Sequence, residues 1–360
     1  MKRLAWLDTA KAYGIFLVFY GHFVGQMAET GSDAAMIQMK LVYSFHMPLF
    51  FVLSGYIAKN RIQSYRRFLK EKLFSRLLPV YFFGAITLPF WMWWSLDGKS
   101  TLKEVLKYIL NYSAGRPNLN TVTWFVVCLF VVENLCFWVM PRLKSRRQTL
   151  SAILGFYSLG SLIIWKIWLI SDVTGIQPNF WYIHEAPIAA AFYMTGYFLR
   201  AYAGNLVPVV SKKMAFMWLL PSLSLLIATF DLNRGPFVIN PLAPIVIMAA
   251  SQHGHVILFL LTALAGTMLI MSIARLTPDN PVTRLVGSNT LSLMGLNGLF
   301  YSFLNERIVQ IVGVPSEPFR LLGIGLLVAS ISILVCLPFV FLLNLYLPQL
   351  IGKPETQGPI

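Results

Sequence analysis

Asp8-Thr9-Ala10-Lys11-Ala12-Tyr13-Gly14-Ile15-Phe16-Leu17-Val18-Phe19-Tyr20-Gly21-His22 is an apolar run with a cation near its start and an imidazole at its end. Lys11 and His22 are eleven residues apart. On an α-helix that separation is about three turns and a rise of about 16 Å. The two side chains therefore share a helix face, the cation at a membrane surface and the imidazole directly below it, near mid-bilayer. Ionisable groups within lipid are costly and read as functional. Asp8 lies one turn before Lys11 on the same stripe.

The rest of the chain agrees with a lipid setting. Of 360 residues, 57% are hydrophobic and 12% charged, more apolar surface than a soluble fold of this size can bury. The expected class is all-α, a polytopic integral membrane protein with multiple passes in the cell (inner) membrane. Trp91-Met92-Trp93-Trp94 and the Trp165/Trp168 pair suit helix-end anchors. Cys128, Cys136 and Cys336 fall inside apolar runs and imply neither disulfide nor metal framework. The net charge of +15 is spread over short loops, which fixes orientation in a bilayer and argues against nucleic acid as a partner. Lys2 and Arg3 precede the first apolar run, as in a signal peptide, but His22 and the bulky aromatics point to a retained helix.

Spans of suitable length occur at about 12–29, 41–58, 77–95, 122–140, 150–171, 186–203, 213–230, 255–274, 285–311 and 321–347, giving about ten helices. Arg61, Arg66, Arg67, Lys70, Lys72 and Arg76 open a series of basic loops on one side, continued by Arg142–Arg147, Lys212/Lys213 and Arg275/Arg284. Glu29, Asp33, Asp172, Asp231, Glu306 and Glu317 fall on the other. The positive-inside rule then places both termini in the cytoplasm. The mixed-charge loop 96–121 suits a short surface helix on the outer side. Residues 231–254 read as a loop or a re-entrant segment. A single transmembrane domain over 1–352 and a disordered tail over 353–360 complete the expected organisation.

The second span begins Ser44-Phe45-His46-Met47-Pro48. Running antiparallel to the first, it carries His46 about 19 Å above its inner end, at 1.5 Å per residue, a depth close to that of His22. Ser54 and Gly55 offer a small surface for close helix approach. A histidine in a dry cavity can take a proton from a hydroxyl as that oxygen attacks a thioester carbonyl. Lys11, with Arg67 and Arg76, would hold the donor's phosphates. Plainer roles compete for each residue. His22 alone could simply bond a neighbouring helix, His46 serves equally as packing glue, and Lys11 with Asp8 could be an anchor and its ion-pair partner. Loop 59–76 is first a topology determinant. Glu133, within the fourth span, lines a cavity or bonds across helices. His184 and Glu185, at the outer end of the sixth helix, could face an acceptor but better suit a solvated helix start, and His253 with His255 is too isolated for a metal site.

These residues resemble a known family. Lys11 followed by ten residues and His22 is similar to the basic-x10-His signature of the membrane acyltransferase-3 family. Phe45-His46-Met47-Pro48-Leu49-Phe50-Phe51-Val52-Leu53-Ser54-Gly55-Tyr56 resembles its second-helix motif. Arg76-Leu77-Leu78-Pro79, Trp124-Phe125-Val126, Pro187 through Tyr197 and Gly287-Ser288-Asn289-Thr290-Leu291 resemble later elements in matching order. The resemblance implies a ten-helix acyltransferase domain that moves an acyl group, commonly acetyl, from an acyl-CoA to a hydroxyl of a cell-surface carbohydrate or its precursor. It is nearest the sugar O-acetylases of the fucose 4-O-acetylase type. It implies His22 as catalytic with His46 nearby, Lys11, Arg67 and Arg76 on the donor, Asp8, Ser54, Trp124 and Glu133 in support, and no metal. Two departures stand out: lysine replaces arginine at position 11, and Asn297 stands where many relatives carry histidine. The alternative from another class is a transporter or exporter of a glycan or lipid-linked intermediate using Glu133 and the histidines as a polar pathway. Transporters of this size often carry internal repeats, and this chain has none visible. A regulatory scaffold explains neither buried histidine.

Overall fold

The structure, a computed structural model, describes residues 4–58, 64–94, 101–202, 211–238 and 243–353. Among these residues the regular structure is helical, with one isolated bridge between Ile247 and Gln252. The helices are α1 (Ala5–Ala28), α2 (Asp33–Tyr43), α3 (His46–Tyr56), α4 (Tyr65–Lys72), α5 (Leu78–Trp94), α6 (Leu102–Ser113), α7 (Trp124–Val139) and α8 (Arg146–Trp165). They continue as α9 (Ile167–Thr174), α10 (Ala186–Tyr202), α11 (Lys212–Phe230), α12 (Val256–Leu276), α13 (Pro281–Ser288), α14 (Thr290–Leu299), α15 (Asn305–Val312) and α16 (Pro318–Tyr346).

Seven stretches among the described residues are long and apolar enough to cross a membrane: Asp33–Tyr56, Tyr65–Trp94, Thr121–Arg142, Arg146–Trp165, Lys212–Phe230, Val256–Leu276 and Pro318–Tyr346. The other three expected spans are helical too, as α1, α10 and the α14–α15 pair. Burial sorts the bundle into a core and a rim. The α2–α3 stretch is 67% buried, whereas the α8 and α11 stretches are 22% buried each. A face of leucine, phenylalanine and tryptophan left open on a rim helix is what hydrocarbon, not water, would cover.

The second span starts earlier than its hydropathy indicates. Ser32 caps α2, its side chain accepting from the Ala35 N–H at 3.3 Å, so the helix begins at Asp33 and not near 41. Lys40 conceals this extension in the sequence. It is buried, and its Nζ donates to Asp231 Oδ1 at 2.9 Å and to the Asp231 carbonyl at 3.2 Å. That hydrogen bond holds the Asp231 carboxyl below the usual aspartate range. Loop 96–121 contains α6, closed by a capping box in which Thr101 and Glu104 satisfy each other's backbone N–H. Lys59, Arg61, Asp97, Lys99 and the tail beyond Lys353 lie outside the described residues. Lys353 itself is held by Asn289 Oδ1 at 2.9 Å.

Where the sequence offered a small surface, two helices meet backbone to backbone. A Cβ on Gly55 would stand 1.7 Å from the Tyr193 carbonyl oxygen, and one on Gly196 would stand 1.9 Å from that of Val52. No larger residue fits this α3–α10 crossing. The bundle has two distinct ends. Trp6 packs edge-on against Tyr56 at 5.1 Å, and Arg200 donates to the Tyr56 carbonyl at 3.1 Å. That end also holds Lys11. Glu29, Asp33 and Asp231 mark the other.

Candidate active site

The α2–α3 junction shows how this sequence builds the site. Pro48 has no N–H to give the Ser44 carbonyl, so the helix cannot run straight through, and it breaks at Ser44-Phe45. The break leaves the last carbonyls of α2 within reach of a side chain. His46 Nδ1 lies 2.9 Å from the Val42 carbonyl. A carbonyl only accepts, so Nδ1 carries the proton and Nε2 keeps the lone pair.

His22 is built the same way by a different partner. Its Nδ1 lies 2.5 Å from Asn297 Oδ1, joining α1 to α14. With the amide oxygen accepting, Nδ1–H is fixed and Nε2 is the basic nitrogen. Asn297 is fully buried. Its helix is held by Asn120, whose amide donates to the Gly295 carbonyl at 2.8 Å and to Thr87 Oγ1 at 3.2 Å.

Both imidazoles line a single cavity of about 200 Å³ that reaches Glu29. Tyr43 lies between them, its ring centroid 4.9 Å from His46 and 6.3 Å from His22. Tyr301 packs on the other side of His22 at 4.7 Å. It projects from a π-type turn, Phe300–Leu304, between α14 and α15. Trp124, Met294 and residues 246–249 complete the walls. Thus two imidazoles and an aromatic shelf converge on one space of a size to admit a small polar ligand.

The cationic residues lie elsewhere. Lys11 is half-buried on α1, about three turns from His22. Asp8, three residues earlier, is buried, and Arg67 is exposed on α4. Arg76 sits on a second π-type turn, Leu73–Leu77, with Nε 2.9 Å from Glu133 Oε2 and Nη2 2.9 Å from Oε1. Lys72 Nζ adds a third contact to Oε1 at 3.0 Å. Glu133 therefore bonds across helices and does not face the His22 cavity. Ser54 is half-buried next to the α3–α10 crossing. Among the described residues no three metal-ligating side chains cluster.

His184 and Glu185 depart from a solvated helix start. Both are buried, and Glu185 Oε1 meets His253 Nε2 at 2.9 Å beneath the loop that follows α11. Neither this pair nor the Asn297 contact was legible beforehand. An isolated asparagine in an apolar helix is the one signal that pointed toward the latter.

The model of a family described as "Acyltransferase domain", acyltransferase-3, matches residues 4–344. The chain belongs to that family. Among curated relatives, a nodulation protein NolL of Mesorhizobium japonicum is 36% identical over 178 residues, 43% of this chain and 46% of the relative. A nodulation protein NolL of Sinorhizobium fredii is 32% identical over 83 residues, 22% of this chain and 23% of the relative. The chain thus spans less than half the length of these curated relatives. No solved structure matches it.

Proposed function

We propose that the chain is a ten-helix, multi-pass membrane O-acyltransferase that moves an acyl group, acetyl foremost, from acyl-CoA to a carbohydrate hydroxyl. The observation that carries the reading is the His22–Asn297 contact, which leaves Nε2 basic inside a cavity shared with His46. Family membership supports the reaction class and leaves the transport alternative without a feature of its own.

In this reading the basic end faces the cytoplasm, the source of acyl-CoA. Lys11 and Arg67 receive its phosphates, and Arg76, steadied by Glu133, shapes the entrance. The distance from Lys11 to His22, about 16 Å along α1, calls for a donor with charge at one end and a thioester at the end of a long arm. Coenzyme A has that form. The acceptor enters from the Glu29 end. His22 Nε2 takes the hydroxyl proton as the oxygen attacks the thioester carbonyl, forming a C–O bond. The tetrahedral centre collapses, the C–S bond breaks, and the thiolate leaves with the proton returned by His22. Products are the ester and free CoA thiol, and the base is regenerated. Asn297 accepts from Nδ1–H throughout and steadies the imidazolium while it exists. His46 orients the acceptor hydroxyl through its own Nε2. Trp124 gives a sugar ring an aromatic face.

The test uses purified protein in lipid with radiolabelled acetyl-CoA, with and without a crude glycan extract, comparing wild type with His22→Ala. Label appearing in the glycan with wild type alone supports the reading. Equal transfer by both proteins overturns the role of His22, and label crossing the membrane without ester formation revives transport.

A further inference from the structure

The cavity's remaining wall is the least regular part of the bundle, and its construction is specific. Val246, Ile247, Met248 and Ala249 face the two imidazoles from the loop between α11 and α12. The loop holds itself together with polar side chains. Gln252 Nε2 donates to the Ala243 and Ile245 carbonyls at 3.0 and 2.8 Å, and Ile247 and Gln252 exchange backbone hydrogen bonds at 2.7 and 3.0 Å. Asn233 staples its base, donating to the His253 carbonyl and accepting from the His255 N–H, each at 2.7 Å. Ser251 turns the chain with φ of +53°, a conformation a serine adopts only when its surroundings enforce it.

Residues 179–185, on the neighbouring connection, share this character. Asn179, Trp181 and Tyr182 all have positive φ, at 68°, 51° and 52°. Tyr182 packs on Trp124, already a cavity wall, at 5.5 Å. Glu185 then reaches across to His253, 2.9 Å away, with the carboxylate fully buried and the imidazole nearly so. Two strained segments, each supplying or backing a wall of the cavity, are thus tied by one buried pair. Strain of this kind persists where a site needs a fixed shape, and a buried pair fixes register better than it adds stability.

We propose that Glu185 and His253 are positioning residues, a latch that keeps residues 246–249 against His22 and His46 and thereby sets acceptor recognition. Neither residue touches the reacting atoms. The latch braces a cavity that reaches Glu29 and that Lys11, Arg67 and Arg76 do not line, so it acts on the acceptor and not on the donor. The idea rests on the acyltransfer reading for the acceptor, but the latch itself can be read without turnover.

Met248 is 3% exposed. Maleimide labelling of Met248→Cys in the full-length protein in lipid therefore reports whether the wall lifts. Leu226→Cys, on α11 and equally buried, reports general loosening. Adding Glu185→Ala or His253→Ala should speed labelling at 248 about tenfold or more and leave 226 unchanged. Glu185→Gln keeps an acceptor for His253 Nε2–H and should label as slowly as the parent. In parallel, initial rates with acetyl-CoA and a panel of methyl glycosides should show KM for the glycoside raised at least about fivefold and KM for acetyl-CoA unchanged. Unchanged labelling at 248 in the alanine variants, or labelling at 226 rising in step, would overturn the latch. If wild type acylates no glycoside, the carbohydrate reading fails while the labelling result still decides the latch.

Discussion

The first and last long helices are both apolar, yet they serve the molecule in opposite ways. Helix α1 carries Asp8, Lys11, His22 and Gln26, and it turns nearly every other residue inward, from Trp6 to Ala28. Helix α16 is longer, at 29 residues, and is rich in leucine, isoleucine, valine and phenylalanine. It leaves Phe319, Leu334 and Phe341 exposed. By length and composition α16 qualifies as a membrane span and α1 does not. Helix α16, the most apolar of the spans, leaves much of its surface outside the bundle, whereas α1 carries a residue of the candidate site.

The sharpest way to break this comparison is inside the core. Glu133→Ala leaves Arg76 and Lys72 without their shared carboxylate, and an uncompensated buried charge costs about 3–5 kcal/mol. The variant should be recovered in much lower yield and lose its helical signal at a lower temperature. Normal yield and melting would mean that water already reaches these cations. Next comes Asn297→Leu, close in volume but unable to accept from His22 Nδ1–H. A hydrogen bond to the imidazolium is worth about 1.5–3 kcal/mol, so kcat should fall about 10–100-fold, more than any loss of folded protein explains. A fall in stability without a fall in kcat would make Asn297 packing only.

A smaller effect is expected where Lys40 meets Asp231. The carboxyl is held below its ordinary range, so the pair's stabilisation is complete above the unfolded aspartate value, about 4, and is lost as pH falls through the lower folded value. Between pH 6 and pH 3, wild type should therefore lose slightly more stability than Asp231→Asn. Parallel curves would mean the pair is not formed in the bilayer. The smallest change belongs to α16. Leu334→Ala removes a side chain that faces outward, and stability should stay within about 0.5 kcal/mol. A loss several times larger would place a protein partner, not lipid, on that helix.

The same contrast explains what the sequence disclosed. Helical rise is a constant, so the shared depth of His22 and His46 followed from counting residues on two consecutive helices. The Ser54–Gly55 surface announced a close crossing because small residues have few other uses between helices. Contacts between distant segments left no such trace. His22 and Asn297 are separated by 275 residues, and His253 finds Glu185 only after two connections fold over each other. Lys40 actively misled, since its charge hid two turns of a helix that Asp231 neutralises from another part of the chain. Arg76 read as an open cation, and its occupation by Glu133 emerges only from packing.

One measurement bears most directly on His22 as the base: acetyl-CoA thioester turnover by His22→Ala in lipid, with and without added imidazole. The cavity of about 200 Å³ reaches the Glu29 end and leaves room for a free imidazole once the side chain is gone. Removing a general base typically costs about 10²–10⁴-fold, so turnover should fall by that factor and recover in part as imidazole is added. Turnover equal to wild type without imidazole would contradict the assignment.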